Sequence, residues 1–489
     1  MRILNGETLV SHGNIEMRKA MLEILEAGLT AADPYRNTKR LIQLKDGKLI
    51  VGRKEFEPAG TPKTGYEVFD LSKVRRIFVF GAGKGVQRVA KGLEDALGDR
   101  LTGGHVIDKK GHGVILEKID VTLGSHPAPD EDCVKGCERI LEMTKGLTKD
   151  DLVFTIVANG VSSLLTMPVP GVTVEEVRQM TYLMQIARGA PTWDLNPIRN
   201  HLDVLKGGRI SRHIHPARMI HILAIDPGNY DQIIYHNLWL HTLPDYTTFK
   251  DAVESLKKWD AWDEVSPSIK RHLERADPKD ETVRPQEFEK MSFRIFGVMP
   301  SKTAMVPTAM KKAKELGFKP FVLAEYLAIE ASQAGLFVAT TSRAVERLGQ
   351  PVKPPCALFT SGELMVTVGK ERGIGGRNQE FALAAAQRIA GSKNVVIGSV
   401  DSDGTDGPGT QFAKGYEDIP CLDGGIVDGE TMEEAKRAGV NVEEALKTHN
   451  STMALWKLKN GVVATPNISL NDLSVTLIKG RSKEVMRLF

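Results

Sequence analysis

At 489 residues the chain has room for two or more domains, each with its own core. Its 41% hydrophobic and 26% charged residues are those of an ordinary globular protein. The net charge of +3, with no polybasic run, argues against nucleic acid or an anionic membrane surface as the partner. Four cysteines (Cys133, Cys137, Cys356, Cys421) are too few to staple a fold this large. No Cys/His pair follows Cys133 and Cys137 at finger-like spacing, so structural zinc is not expected. The first residues lack an apolar signal core and no apolar run reaches membrane-spanning length, so a cytoplasmic location is the expectation.

Residues 14–30 place Met17, Ala20, Met21, Ile24, Leu25 and Leu29 on one stripe and predict an amphipathic helix. The first α/β unit starts at Arg76. Ile77–Phe80 is a short apolar strand, Gly81-Ala82-Gly83-Lys84-Gly85 turns the chain, and Val86, Val89, Ala90, Leu93 and Leu97 mark a helix face. Val86 stands where a dinucleotide fingerprint needs its third glycine, and Lys84 lacks the spacing of a Walker loop. A nicotinamide reductase is therefore the least expected function. What remains is a lysine at a helix start, able to hold an anion or simply solvated.

A second strand, Leu152–Ala158, runs into Asn159-Gly160-Val161-Ser162-Ser163, whose polar side chains can bind a ligand or cap the next segment. Thr173 and Glu176 form a capping-box pattern and predict a helix through Arg188. Ile198, Leu202 and Leu205 continue helical spacing until Gly207-Gly208. Arg199, Lys206 and Arg209 are the most basic cluster of this half, either a solvated face or the wall of an anion pocket. A third strand, Met219–Ile225, ends at Asp226-Pro227-Gly228-Asn229.

Strands that end in Gly/Asp-rich loops and alternate with helices predict a doubly wound, mainly parallel, Rossmann-like sheet, with ligands at the strands' carboxyl ends. Residues 230–292, with Trp239, Trp259 and Trp262, break that rhythm and read as helices and loops that cover the sheet or form an interface. The α/β alternation resumes near Arg294. The expected domains are therefore 1–292 and 293–489.

In the second half, Gly375-Gly376-Arg377-Asn378-Gln379-Glu380 puts a fixed cation and three hydrogen-bonding side chains at a helix start. The apolar strand Val395–Val400 then leads into Asp401-Ser402-Asp403-Gly404-Thr405-Asp406-Gly407-Pro408. Carboxylates on a glycine-rich loop suit a hard cation such as Mg²⁺, so a phosphate or carboxylate site with a metal is expected. The plainer alternative is a surface turn whose aspartates cap backbone amides.

Taken together, these residues resemble the glycerate 2-kinase family, whose C-terminal part is the MOFRL domain and whose members have often been labelled hydroxypyruvate reductases. The resemblance covers most of 75–226 and 355–480. It rests on Gly81-Ala82-Gly83-Lys84, His126-Pro127, Arg199-Asn200-His201-Leu202, Lys206-Gly207-Gly208-Arg209, Ser361-Gly362-Glu363, Gly375 to Leu383, Asp403, Asp406-Gly407-Pro408 and Asn471-Asp472-Leu473. It implies a C-terminal MOFRL-type α/β domain and an ATP- and Mg²⁺-dependent phosphoryl transfer to a small hydroxy- or oxo-carboxylate. Lys84 and Arg377 would be the cations at the reacting phosphoryl group and the substrate carboxylate, with Glu380 orienting the substrate. Gly83, Asn159, Ser162, Ser163, Arg199, Lys206 and Asn378 would hold substrate or phosphate, and Asp403 and Asp406 the metal.

The chain departs from the family where a Ser-triple-Gly-Ser loop becomes Ala158-Asn159-Gly160-Val161-Ser162-Ser163. It departs again where Ser-Gly-Pro-Thr becomes Trp239-Leu240-His241-Thr242, and where Thr-Gly-Pro-Thr-Gly-Thr becomes Ala464-Thr465-Pro466-Asn467-Ile468-Ser469. These changes keep two alternatives in view. One is a hydrolase, lyase or isomerase of a small carboxylate that uses Asn159, Ser162, Ser163 and His241. The other is a non-catalytic subunit. A homo-oligomer remains open.

Overall fold

The computed structural model describes residues 1–111, 113–368, 373–410 and 413–482. The chain forms two compact units, one of Pro34–Pro300 and one of Met1–Asp33 together with Ser301–Phe489. Among the described residues no helix is long and apolar enough to cross a membrane.

The Pro34–Pro300 unit opens with a small antiparallel sheet of β1 (Ile42–Lys45), β2 (Lys48–Val51) and β3 (Glu67–Asp70). Its main sheet has six strands: β4 (Ile77–Ala82), β5 (Gly103–Lys109), β6 (Asp120–Gly124), β7 (Leu152–Val157), β8 (Arg218–Leu223) and β9 (Phe293–Gly297). Every pairing is parallel, in the spatial order β6-β5-β4-β7-β8-β9. Relabelled from the first strand, this is order 3-2-1-4-5-6, with the direction of winding reversing between β4 and β7. β4 and β7 are buried at all six positions, because helices cover both faces of a parallel sheet; this explains their unbroken apolar runs. The helix Val86–Leu97 buries the predicted stripe Val86, Val89, Ala90, Leu93 and Leu97. Cys133 and Cys137 lie in the core beside Phe80, Ile107 and Val153 as free thiols.

Three details depart from the sequence expectation. The capping box at Thr173 and Glu176 is present, but the α-helix stops at Thr181 and continues as a π-helix over Tyr182–Ala187. The next helix is Thr192–His201, which ends well before the double glycine. There the Asp203 carboxylate accepts the amides of Leu205 and Lys206, closing a turn in place of further helix. Finally, β9 pairs with β8, so a boundary at 292/293 would cut off the sheet's last strand; the division falls at 300/301. The 230–292 segment is mainly helical, and Phe249, Leu256 and Ile269 pack there against Val177, Leu195 and Ile198.

The other unit holds a mixed sheet of β10 (Lys319–Leu327), β11 (Cys356–Gly362), β12 (Val395–Asp401), β13 (Gly424–Asp428), β14 (Gly461–Val462) and β15 (Asp472–Ile478). Its spatial order is β10-β11-β15-β12-β13-β14, and only β10 and β11 are parallel. The amphipathic helix Ile15–Ala31 belongs here, not with residues 34–292. Met21, Leu25 and Leu29 join Val396, Val475 and Leu477 in one apolar cluster. On the opposite face lie the helices Ala331–Leu348 and Arg377–Ile389, whose Val338, Phe381 and Leu383 pack on Leu358 and Ile397.

Candidate active site

In the Pro34–Pro300 unit, Lys84, Asn159 and Ser162 lie just beyond the carboxyl ends of β4 and β7, where the sheet reverses its winding. Lys84 sits between Gly83 (φ +136°) and Gly85 (φ +72°), and its amide donates to the Asn159 carbonyl at 2.8 Å, tying the two loops together. A side chain at Gly83 could not fit, because its Cβ would come within 2.5 Å of the Ala158 carbonyl oxygen. A Cβ on Gly160 would lie 3.0 Å from both the Lys84 Cγ and the His126 ring, so lysine and histidine share one loop crossing. Lys84 is 9% exposed, so it is a largely buried cation and not a solvated one.

The other predicted residues of this unit divide. The Ser162 hydroxyl is half-buried and hydrogen-bonded to His241 Nε2 at 2.8 Å. Ser163 is a structural tie, because it donates to the Ser125 carbonyl from a buried position. The charge of Lys206 is taken by Asp203 at 2.6 Å, with Thr166 as a second partner, inside the protein. Arg209 spends its guanidinium on the carbonyls of Asn200, Asp203 and Asp280. Arg199 differs from these. It is 6% exposed and donates only to Gln185, at 3.2 Å, with no carboxylate at ion-pair distance among the described residues. Burial alone pulls its guanidinium down to about 9.

In the second unit, the register sets Asp472, at the start of β15, directly across from Asp401 on β12 and Gly362 on β11. Two carboxylates facing each other across strands repel. Arg377, the first residue of its helix, resolves this: Nε donates to both oxygens of Asp472 at 2.8 and 2.9 Å, and Nη2 to Asp401 at 2.7 Å. Burial opposes the Arg377 charge, but Asp401 and Asp472 outweigh it and hold the guanidinium firmly protonated. The guanidinium expected to clamp a substrate anion is thus held by the protein's own carboxylates in this structure. Its fork already grips two protein carboxylates, and only Nη1, 3.7 Å from Glu363, points elsewhere. Asn378 is likewise committed, with Nδ2 on Asp472 and Oδ1 accepting from Ser399.

The two expected metal ligands do not fit a metal. Asp403 accepts the amide and hydroxyl of Thr405, closing a turn, and Asp406 accepts the Gln379 amide at the helix start. That contact needs Gly376, whose Cβ would lie 2.3 Å from the Asp406 carboxyl. Burial, with Asp401 adding to it, pushes Asp406 up to about 6 against the pull of Arg377. Among the described residues no three His, Cys, Asp or Glu side chains are grouped to hold an ion. The aspartates cap the loop's amides, but from buried positions and not in a surface turn.

Glu380 is buried and bonded to His449 Nδ1 at 2.8 Å, and burial raises its carboxyl while His449 opposes. The pair borders a cavity of about 450 Å³ lined also by Leu364, Ile374, Gly376 and Pro408. His449 was not legible in the sequence, since nothing near it marks a partner for a residue 69 positions away.

Asp423 was missed as well. It is fully buried, and among the described residues neither carboxyl oxygen has a hydrogen-bond partner. Burial first, then the nearby Asp401, Asp403 and Asp406, push it well above its ordinary value. A raised acid favours the folded state while protonated, and that contribution is lost as pH rises through its folded pKa, above 3.8. Thermal melts from about pH 4 to about pH 8 should therefore show wild type losing stability as pH rises. Asp423→Asn should melt higher at neutral pH and show less of that slope. A lower melting point for the variant, with the slope unchanged, would refute this.

A domain of unknown function, DUF4147, matches residues 20–274, and the MOFRL family matches 356–471. The glycerate 2-kinase of Pyrococcus horikoshii is 31% identical over 471 residues, covering 96% of this chain and 98% of that protein. The D-glycerate 2-kinase of Thermotoga maritima is 32% identical over 439 residues, covering 89% and 98%. The crystal structure of glycerate kinase from Thermotoga maritima matches with TM-score 0.70 and 29% identity, covering 95% of this chain and 99% of that one. Together with the two α/β units, these matches place the chain in the glycerate 2-kinase family of enzymes.

Proposed function

We propose that the protein is an ATP-dependent kinase of small 2-hydroxy carboxylates, with glycerate as the first substrate to test. The observation that carries this reading is Lys84, held between two positive-φ glycines where the parallel sheet reverses its winding. A doubly wound sheet binds its ligands in that crevice. Phosphoryl transfer asks a protein chiefly for positioning and for cations that neutralise charge on the transferred group. The acceptor hydroxyl would form the new P–O bond and release its proton to solvent as the bond to the ADP leaving group breaks, and Lys84 would offset the charge on the phosphoryl oxygens. The names of the full-length relatives support the same class of reaction.

One observation favours ATP-free hydrolysis instead, the Ser162–His241 hydrogen bond. A serine nucleophile needs its histidine held by a third group, and His241 Nδ1 has no partner among the described residues. The kinase reading therefore stands ahead. Incubation with ATP and D-glycerate, with ADP and phosphoglycerate both quantified, should give equal amounts of the two. Turnover of small carboxylates or their esters without ATP, and none with it, would overturn the proposal.

A further inference from the structure

The second unit holds a cavity of about 420 Å³ at the end of its sheet remote from Arg377. β12 carries Asp401, a partner of Arg377, at its last position, and the cavity lies beyond its first, Val395. At about 3.3 Å per residue the strand separates the two by about 20 Å. Three segments wall the cavity: the last turns of the helix Ala331–Leu348, the turn before β12, and the chain after β15. Backbone bonds knit them together, the Lys479 amide on the Asn394 carbonyl at 2.9 Å and the Ser482 amide on the Glu346 carbonyl at 3.1 Å. Glu346 is 2% exposed, and its carboxylate accepts the Ser392 hydroxyl at 3.0 Å, the Asn394 side-chain amide at 2.9 Å and the Arg343 guanidinium. Its charge is met inside the protein.

Two further cations line the cavity, Lys393 and Arg481, and neither has a carboxylate at ion-pair distance among the described residues. Other lysines of this unit are met, Lys479 by Glu16 and Lys312 by Glu315. A cation beside a helix C-terminus is favourable by itself, and Arg481 does give Nη2 to the Arg347 carbonyl. That bond leaves the rest of its fork, and the Lys393 ammonium makes no such bond among the described residues. Three cations and one carboxylate line the cavity, so two positive charges are in excess.

That excess selects a dianion, and a guanidinium matches the oxygens of a phosphate. A cavity of this size accommodates an organic ligand and not a bare ion alone. Its lining contains no apolar or aromatic side chain on which a nucleobase could pack, whereas hydroxyl groups suit polar walls. We propose that this cavity binds the phosphate monoester dianion of a small polyhydroxy compound. Lys393 and Arg481 supply the counter-charge, and Glu346 is a positioning residue that holds Arg343, Ser392 and Asn394 in the wall. The site does not depend on the kinase reading.

Calorimetry and thermal melts on wild type, Lys393→Ala, Arg481→Ala and Lys84→Ala test this, with ribose 5-phosphate, inorganic phosphate, D-gluconate and AMP as probes. Wild type should bind ribose 5-phosphate more tightly than inorganic phosphate or D-gluconate, and should melt higher in its presence. Lys393→Ala and Arg481→Ala should each lose about tenfold in that affinity, the scale of one charged hydrogen bond. Both side chains are exposed, so the unliganded variants should melt close to wild type. Lys84→Ala, in the other unit, should bind ribose 5-phosphate as wild type does. Unchanged affinity in Lys393→Ala and Arg481→Ala, or loss of binding in Lys84→Ala, would overturn the site. D-Gluconate bound as tightly as ribose 5-phosphate, with the same dependence on Arg481, would overturn the choice of a phosphate. AMP bound more tightly, again through Arg481, would overturn the choice of a ligand without a base. Cations that serve only the helix end would give lower melting points in the variants and no ribose 5-phosphate binding in wild type, which would also sink the proposal.

Discussion

Arg377→Ala is expected to destabilise the MOFRL-type unit by about 3–5 kcal/mol, the range for removing one partner of a buried ion pair. The guanidinium separates Asp472 and Asp401, which face each other across β15 and β12, and it donates to both. Without it two buried carboxylates would confront one another, and only the neutral donors Asn378 and the Leu364 amide would be left on Asp472 among the described residues. Arg377→Lys should recover only part of the loss, since an ammonium cannot reach both carboxylates in one plane. Urea unfolding of the three proteins measures this directly. An unchanged midpoint, with kcat/KM collapsed, would return Arg377 to the role of substrate clamp.

Lys84→Ala should act the opposite way. The turn that carries Lys84 is held by two backbone amides, that of Lys84 on the Asn159 carbonyl and that of Gly85 on the Asp108 carboxylate, and those contacts survive the substitution. The fold should therefore persist while the crevice loses its cation. If Lys84 neutralises the transferred phosphoryl group, kcat/KM should fall by about 10²–10³-fold, the size seen when one transition-state donor is removed. The melting temperature should move little. Activity within a few fold of wild type would leave the proposed reaction without its cation at the crevice.

The first sheet was legible because its strands are buried on both faces. Ile77–Phe80 and Leu152–Ala158 read as unbroken apolar runs followed by glycine, so strand, turn and helix start all showed. The placement of Lys84, Asn159 and Ser162 just beyond strand ends followed from position alone. The second unit was less legible in its partners. The pairing of Arg377 with Asp472 joins residues 95 apart, and local pattern could not tell a guanidinium aimed at substrate from one aimed at the protein. The same holds for Asp403 and Asp406, whose loop looked apt for a cation until their oxygens were seen to accept local amides. The placement of residues 1–33 with the C-terminal half was hidden too, because a helix's apolar stripe shows that it packs, not on what.

The order of the second sheet has a consequence for how the chain is made. β15 is the last described strand in sequence, yet it lies between β11 and β12 near the middle of its sheet. The unit of Pro34–Pro300 is one continuous stretch and can assemble as soon as it leaves the ribosome, whereas its neighbour draws on Met1–Asp33 and on Ser301 onward. The early helix Ile15–Ala31 must therefore wait, its apolar stripe without its native cover, until β12 and β15 have been synthesised. A nascent chain stalled before Asp472 would carry a folded first unit and an unclosed sheet with β11 and β12 both exposed as edges, the kind of species that chaperones hold and proteases remove.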